Sequence, residues 1–101
     1  MGAFSIFKRL RESYLEKKIE KEKAWYFKGI TFEFSARYQK GSRCRGSLKK
    51  AIKCYKKAPH IAGARVGMAN CYSELGDHIK AVRIRDEVDR LIREGKLIEF
   101  P

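Results

Sequence analysis

The chain has 101 residues, of which 24 are Lys or Arg and 12 are Asp or Glu, giving a formal net charge of +12. That length suits one domain, and with 44% apolar residues, 36% charged residues and two prolines the composition is that of a folded chain rather than a disordered one. A chain this size buries roughly 60 to 65% of its extended surface, which leaves a modest core and little depth for an enzymatic cleft.

The charge is concentrated. Residues 1 to 33 carry 8 basic and 5 acidic side chains, residues 74 to 101 carry 6 and 7, and residues 34 to 73 carry 10 basic side chains and no acid. Those ten are Arg37, Lys40, Arg43, Arg45, Lys49, Lys50, Lys53, Lys56, Lys57 and Arg65. A block of this kind attracts phosphate or carboxylate polyanions at low salt. Cys44, Cys54 and Cys71 are odd in number and far apart, and no apolar signal segment opens the chain. A reducing, cytoplasmic setting is therefore expected. No run approaches the ~18 consecutive apolar residues of a membrane span.

In chain order, residues 4 to 24 place Phe7, Leu10, Tyr14 and Leu15 at helical spacing among many charges, predicting an exposed helix with a thin apolar stripe. Residues 24 to 38 hold most of the aromatic mass and fit two periods. Ile30, Phe32, Phe34, Ala36 and Tyr38 alternate as in a strand, whereas Phe27, Ile30, Phe34 and Tyr38 fit one helical face. Helix is the preferred reading because the downstream segments are helical. Gly41 and Gly46 in residues 39 to 46 predict a loop. Residues 47 to 58 then place Leu48, Ala51, Ile52, Tyr55 and Ala58 on one face and five lysines on the other, with Ser47 as the expected N-cap and Pro59 as a stop.

Ile61, Ala64, Met68, Cys71, Tyr72 and Leu75 form a second stripe, and Gly76 and Asp77 have the chemistry of a helix end and a new N-cap. Ala81, Ile84, Val88, Leu91 and Ile92 form a third, which Gly95 ends. In the tail, Leu97, Ile98 and Phe100 are apolar enough to fold back onto the last hairpin.

A shift of 34 residues aligns Phe34-Ser35-x-x-Tyr38 with Met68-Ala69-x-x-Tyr72, and Ser47, Leu48 and Cys54 with Ala81, Val82 and Val88. A helical hairpin repeated at this period resembles the tetratricopeptide repeat. The nearest stretch is Met68-Ala69-Asn70-Cys71-Tyr72-Ser73-Glu74-Leu75-Gly76-Asp77, followed by Ala81. Ala51 to Ala58 looks like a second-helix signature lying four residues later than the 34-residue frame requires, with the extra length assigned to the loop from Gly41 to Gly46. The likeness covers about residues 28 to 95. Solenoids of this type usually need ~3 repeats to bury their faces, so a cap, self-association into a homo-oligomer or a partner is expected to cover an end.

The expected architecture is all-α: antiparallel helical hairpins over residues 25 to 95, a charged N-terminal helix over 1 to 24 packed on or extending from them, and a short tail over 96 to 101. The resemblance implies a non-enzymatic interaction module, a scaffold or adaptor, with a peptide groove at Phe34, Arg37, Arg65, Met68 and Asn70. Asn70 matches a position where the family often contacts a ligand backbone. The clamp that some members use for acidic C-termini is not recoverable, since Asn70 alone fits it. The alternative partner is RNA or DNA, bound through a basic face of Arg43, Arg45, Lys49, Lys50, Lys53, Lys56 and Lys57.

No cofactor, metal site or catalytic group is expected. Cys44, Cys54, Cys71, His60 and His78 form no CxxC or HxxxH pair, and Cys54 and Cys71 fall on apolar stripes as buried thiols. The aromatic group Trp25, Tyr26, Phe27, Phe32 and Phe34 is read first as core, with base stacking or a partner patch as the alternative. A membrane-surface role for Phe4, Ile6, Phe7 and Leu10 with Lys8, Arg9 and Arg11 is the weakest reading.

Overall fold

The apolar stripes read in residues 47 to 58, 60 to 75 and 77 to 94 become the inner faces of helices in the computed structural model, which describes the backbone of residues 3 to 99 and the side chains of residues 12 to 99, whereas Tyr14 and Leu15 of the first stripe and the row Phe27, Ile30, Phe34 and Tyr38 are exposed. The helices are α1 (Ala3–Ala36), α2 (Gly41–Lys56), α3 (Ala62–Glu74) and α4 (His78–Arg93). The fold is all-α, with neighbouring helices packed on one another. The region open to the strand reading, residues 24 to 38, lies in α1 and the turn after it. The membrane-surface residues Phe4 to Arg11 lie outside the described side chains.

Side-chain pairs set the directions. Lys50 lies over Phe32, Lys57 over Trp25, and His60 meets Glu22, so partners descend along α1 as α2 ascends and the two helices are antiparallel. Asn70 with Arg85 and Ser73 with His78 establish the same sense for α3 and α4. α1 and α3 instead run side by side in one direction, because Tyr26 meets Gly63 while Tyr55 bridges Gly29 and Gly67. α4 packs on α3 and touches neither α1 nor α2.

The core is shared by α1, α2 and α3: Tyr26, Ala36, Leu48, Ala51, Ile52, Tyr55, Ala58, Ile61, Ala64 and Cys71 are buried together. The predicted stripe of α2 is buried in full, and Met68, Tyr72 and Leu75 of the α3 stripe pack against the same cluster. In α4, Ala81, Val88 and Leu91 are buried while Ile92 is left at the surface.

The predicted loop at 39 to 46 is a shorter turn at 37 to 40, and α2 begins at Gly41. Gly41 takes φ +61° at this entry, a left-handed conformation that a side chain would strain. The expected N-cap role of Ser47 therefore does not arise: Ser47 lies inside α2, and its Oγ donates to Gln39 Oε1 across the turn. Packing of the half-buried Cys44 against the core supplies the reason the helix extends back over Gly46. This extension changes the period. α2 and α4 both span 16 residues and start at positions 41 and 78, a spacing of 37 rather than 34.

The other end signals act as expected. Gly76 and Gly95 adopt positive φ, and Asp77 caps α4 by accepting from the Lys80 backbone N–H at 3.1 Å. One continuous helix runs through residue 24, where the charge pattern placed a division. The tail folds back: Ile98 N–H donates to the His60 carbonyl at 2.7 Å, and Ala62 N–H donates to the Ile98 carbonyl at 2.9 Å, a single parallel bridge that holds Ile61 buried.

Candidate functional site

Tyr55 makes the floor of a surface groove between α1 and α3. Its ring fits between α1 and α3 because both helices present glycine there; a β-carbon at Gly29 or Gly67 would stand 2.5 or 2.6 Å from it. The Tyr55 hydroxyl donates to Glu33 Oε1 at 2.6 Å. Burial, reinforced by the Glu33 carboxylate, raises the Tyr55 pKa well above the ordinary phenol range, so the hydroxyl remains a donor. Burial also pushes the Cys71 thiol up to about 12, with the same carboxylate adding to it. A protonated, buried thiol is a poor nucleophile.

Above this floor lies a groove of about 300 Å³ between α1 and α3, lined by Ile30, Glu33, Phe34 and Arg37 on one side and by Gly63, Val66, Gly67 and Asn70 on the other. Ile30, Phe34 and Val66 are 38%, 54% and 39% exposed, and Phe27 of α1 and Tyr38 of the turn after it extend the row. Arg37 stacks on Phe34 at 5.9 Å from the ring centroid and has no ion pair among the described residues. The groove thus offers apolar contact, one carboxylate that is already hydrogen-bonded, and one guanidinium without a carboxylate.

Of the five groove residues expected from the sequence, Phe34, Arg37 and Asn70 come together here. Arg65 and Met68 do not. Arg65 donates from Nε to the Pro59 carbonyl and from Nη1 to Glu87, tying the start of α3 to α4. Met68 turns inward against the core, as its place in the α3 stripe requires. Asn70 Oδ1 accepts from Arg85 Nη2 at 2.9 Å. The aromatic group expected as core divides instead: Tyr26 is buried, Trp25 and Phe32 are half-buried, and Phe27 and Phe34 are exposed. A helix flanked by two others has room to bury only part of its circumference.

The expected basic residues Arg43, Arg45, Lys49, Lys50, Lys53, Lys56 and Lys57 are all exposed along α2 and at its end. Lys50, Lys53 and Lys57 turn toward α1 and border a separate depression with Trp25, Lys28 and Phe32, whereas Lys49 and Lys56 stand outside it.

Two long-range carboxylate contacts were not visible in the sequence. Glu22 is 4% exposed and accepts from the His60 backbone N–H at 2.7 Å, with its other oxygen 2.8 Å from His60 Nδ1. Glu33 holds Tyr55. Neither has a motif; the only cue was two acids on an otherwise aromatic and basic stretch. Among the described residues no group of three His, Cys, Asp or Glu side chains is placed to hold a metal, and no helix is long and apolar enough to cross a membrane. Comparison with known families, characterised proteins and solved structures finds no match.

Proposed function

We propose that the chain is a non-enzymatic interaction module that receives a short segment of a partner protein in the groove between α1 and α3. The observation that carries this is the exposed row Ile30, Phe34 and Val66 set over a rigid floor, with Arg37 beside it. Apolar groups clustered at a groove mark an interaction site more often than scattered ones do. The charge next to them selects the ligand: a segment with large apolar side chains and a carboxylate that reaches Arg37. The tetratricopeptide likeness supports the same reading, since two antiparallel hairpins place their first helices side by side along one groove. The 37-residue hairpin spacing departs from that family's 34.

The test is selection of random peptides displayed on phage against the full chain, followed by titration of enriched peptides. Enriched sequences carry bulky apolar residues and an acid, and their binding falls at least tenfold in Phe34→Ala and in Arg37→Glu. Failure to enrich, or peptides that bind both variants as they bind the parent chain, would overturn the proposal. So would sedimentation showing a dimer that Phe34→Ala dissociates, because the groove would then be covered by a second copy.

A further inference from the structure

The opposite side of the first hairpin has a different chemistry. Tyr14, Lys18, Lys21, Trp25, Lys28 and Phe32 follow one another at alternating steps of four and three residues. That spacing keeps them on one face of α1 over five turns, about 27 Å. The line interleaves three aromatic with three cationic side chains and contains no acid. α2 lays a second row beside it. Arg43, Lys50 and Lys57 are spaced by seven, with Lys53 between them, and all four are exposed.

The two rows meet around the rings. Lys57 Nζ is 4.0 Å from the Trp25 ring centroid and Lys28 Nζ is 5.1 Å from it, while Lys50 Nζ is 5.7 Å from the Phe32 centroid. Trp25 and Phe32 sit half-buried in depressions shared with Lys21, Lys28, Lys50, Lys53 and Lys57. None of these lysines forms an ion pair among the described residues. The cations are held close together by the rings and without a carboxylate among the described residues, and beside the ammonium groups Trp25 borders two open depressions and Phe32 one, into which a flat ligand can enter by displacing a lysine from the ring.

We infer that this face binds single-stranded nucleic acid, with phosphates along the lysine rows and bases stacked on Trp25 and Phe32. A cationic track interleaved with aromatic platforms is the arrangement by which single strands are held without sequence preference. The recession of the rings favours this ligand over a membrane: rings set between two rows of lysines accept a planar base but cannot reach past the ammonium groups into a bilayer. An acidic polypeptide would use the lysines and leave the rings without a role. The site lies on different residues from the α1–α3 groove and stands or falls independently of it.

Trp25 is the chain's one tryptophan, so its emission reports the site directly. The experiment titrates the full chain with an oligothymidylate longer than the face, with an abasic oligomer of equal charge, with polyglutamate and with phosphatidylserine vesicles. Oligothymidylate is expected to quench Trp25 saturably and more tightly than the other three. With Lys21, Lys28, Lys50, Lys53 and Lys57 each on a phosphate, affinity should fall roughly a hundredfold between about 50 and 200 mM salt.

Lys50→Glu/Lys53→Glu/Lys57→Glu should weaken binding at least tenfold with helix content unchanged by circular dichroism. Arg83→Glu/Arg93→Glu, on the α4 that does not touch α1 or α2, should change it less than threefold. Absence of quenching at the lower salt, equal quenching by the abasic oligomer, tighter binding of polyglutamate or vesicles, or a triple variant that binds like the parent chain would each overturn the inference.

Discussion

A β-carbon added to Gly29 would stand 2.5 Å from Cε1 of Tyr55. The ring has no room to move away, because Gly67 of α3 holds its far side equally closely. Two effects of opposite sign meet at this position. Alanine is favoured over glycine in a helix interior by about 1 kcal/mol, whereas forcing an extra carbon into a packed site costs about 1 to 3 kcal/mol. The contact is to a ring clamped on both faces, so the second effect wins. Gly29→Ala and Gly67→Ala should each lower the unfolding free energy by about 1 to 2 kcal/mol, measured by urea denaturation. Gly46 is also helical but has nothing within 4 Å of its added β-carbon. Gly46→Ala should therefore stabilise the chain by about 0.5 to 1 kcal/mol.

Glu22 fastens the middle of α1 to the link between α2 and α3. Its carboxylate is buried and takes both the backbone N–H and the ring of His60. Removing it leaves a backbone donor without a partner, at a cost of about 1 to 3 kcal/mol. Glu22→Ala should lose about 2 to 3 kcal/mol. His60→Ala removes only the ring contact and should lose less than half as much. Equal losses in the two variants would show that the ring, not the backbone N–H, carries the contact.

These contacts also mark what a sequence can and cannot reveal. The stripes of α2 and α3 and the caps at Gly76, Asp77 and Gly95 follow from local periodicity and backbone chemistry, and they appear where the spacing puts them. The turn before α2 did not, because Gly41 and Gly46 have the same local signature. One takes a left-handed φ at the helix entry and the other lies inside the helix, where packing of Cys44 decides the conformation. Phe34 and Arg37 on α1 and Asn70 on α3 line one groove from the helical faces that their spacing gives them. Arg65 and Met68 do not line it because each residue step turns a helix by about 100°, which carries Met68 from the groove beside Gly67 onto the core, and only the packing of α2 shows which side is which. The partners of Glu22 and Glu33 lie 38 and 22 residues away, beyond the reach of any helical period.

The three thiols should separate by accessibility. Cys44 is half-buried, while Cys54 and Cys71 are buried, and none is in a disulfide. A colourimetric disulfide reagent at neutral pH should titrate one thiol rapidly in the folded chain and the other two only after denaturant is added. Cys44→Ser should abolish the rapid phase. Rapid reaction of all three would contradict the packing around Tyr55.

The raised pKa of Cys71 links this packing to pH. Its thiol goes from an ordinary value of 9.0 to about 12 in the folded chain, chiefly through burial and then through the Glu33 carboxylate. The folded state therefore retains a proton that the unfolded chain releases between those values. The associated stability is complete below pH 9 and is lost as pH rises toward 12. Cys71→Ala removes the linkage together with some buried volume, so it should be less stable than the parent chain at pH 7. The gap should narrow as pH rises above 9, because only the parent chain has this proton to lose. Urea midpoints for both proteins at pH 7, 9 and 10.5 measure the effect. A gap that stays constant would mean that Cys71 titrates alike in the folded and unfolded chains, and that the Tyr55 and Glu33 floor is open to water.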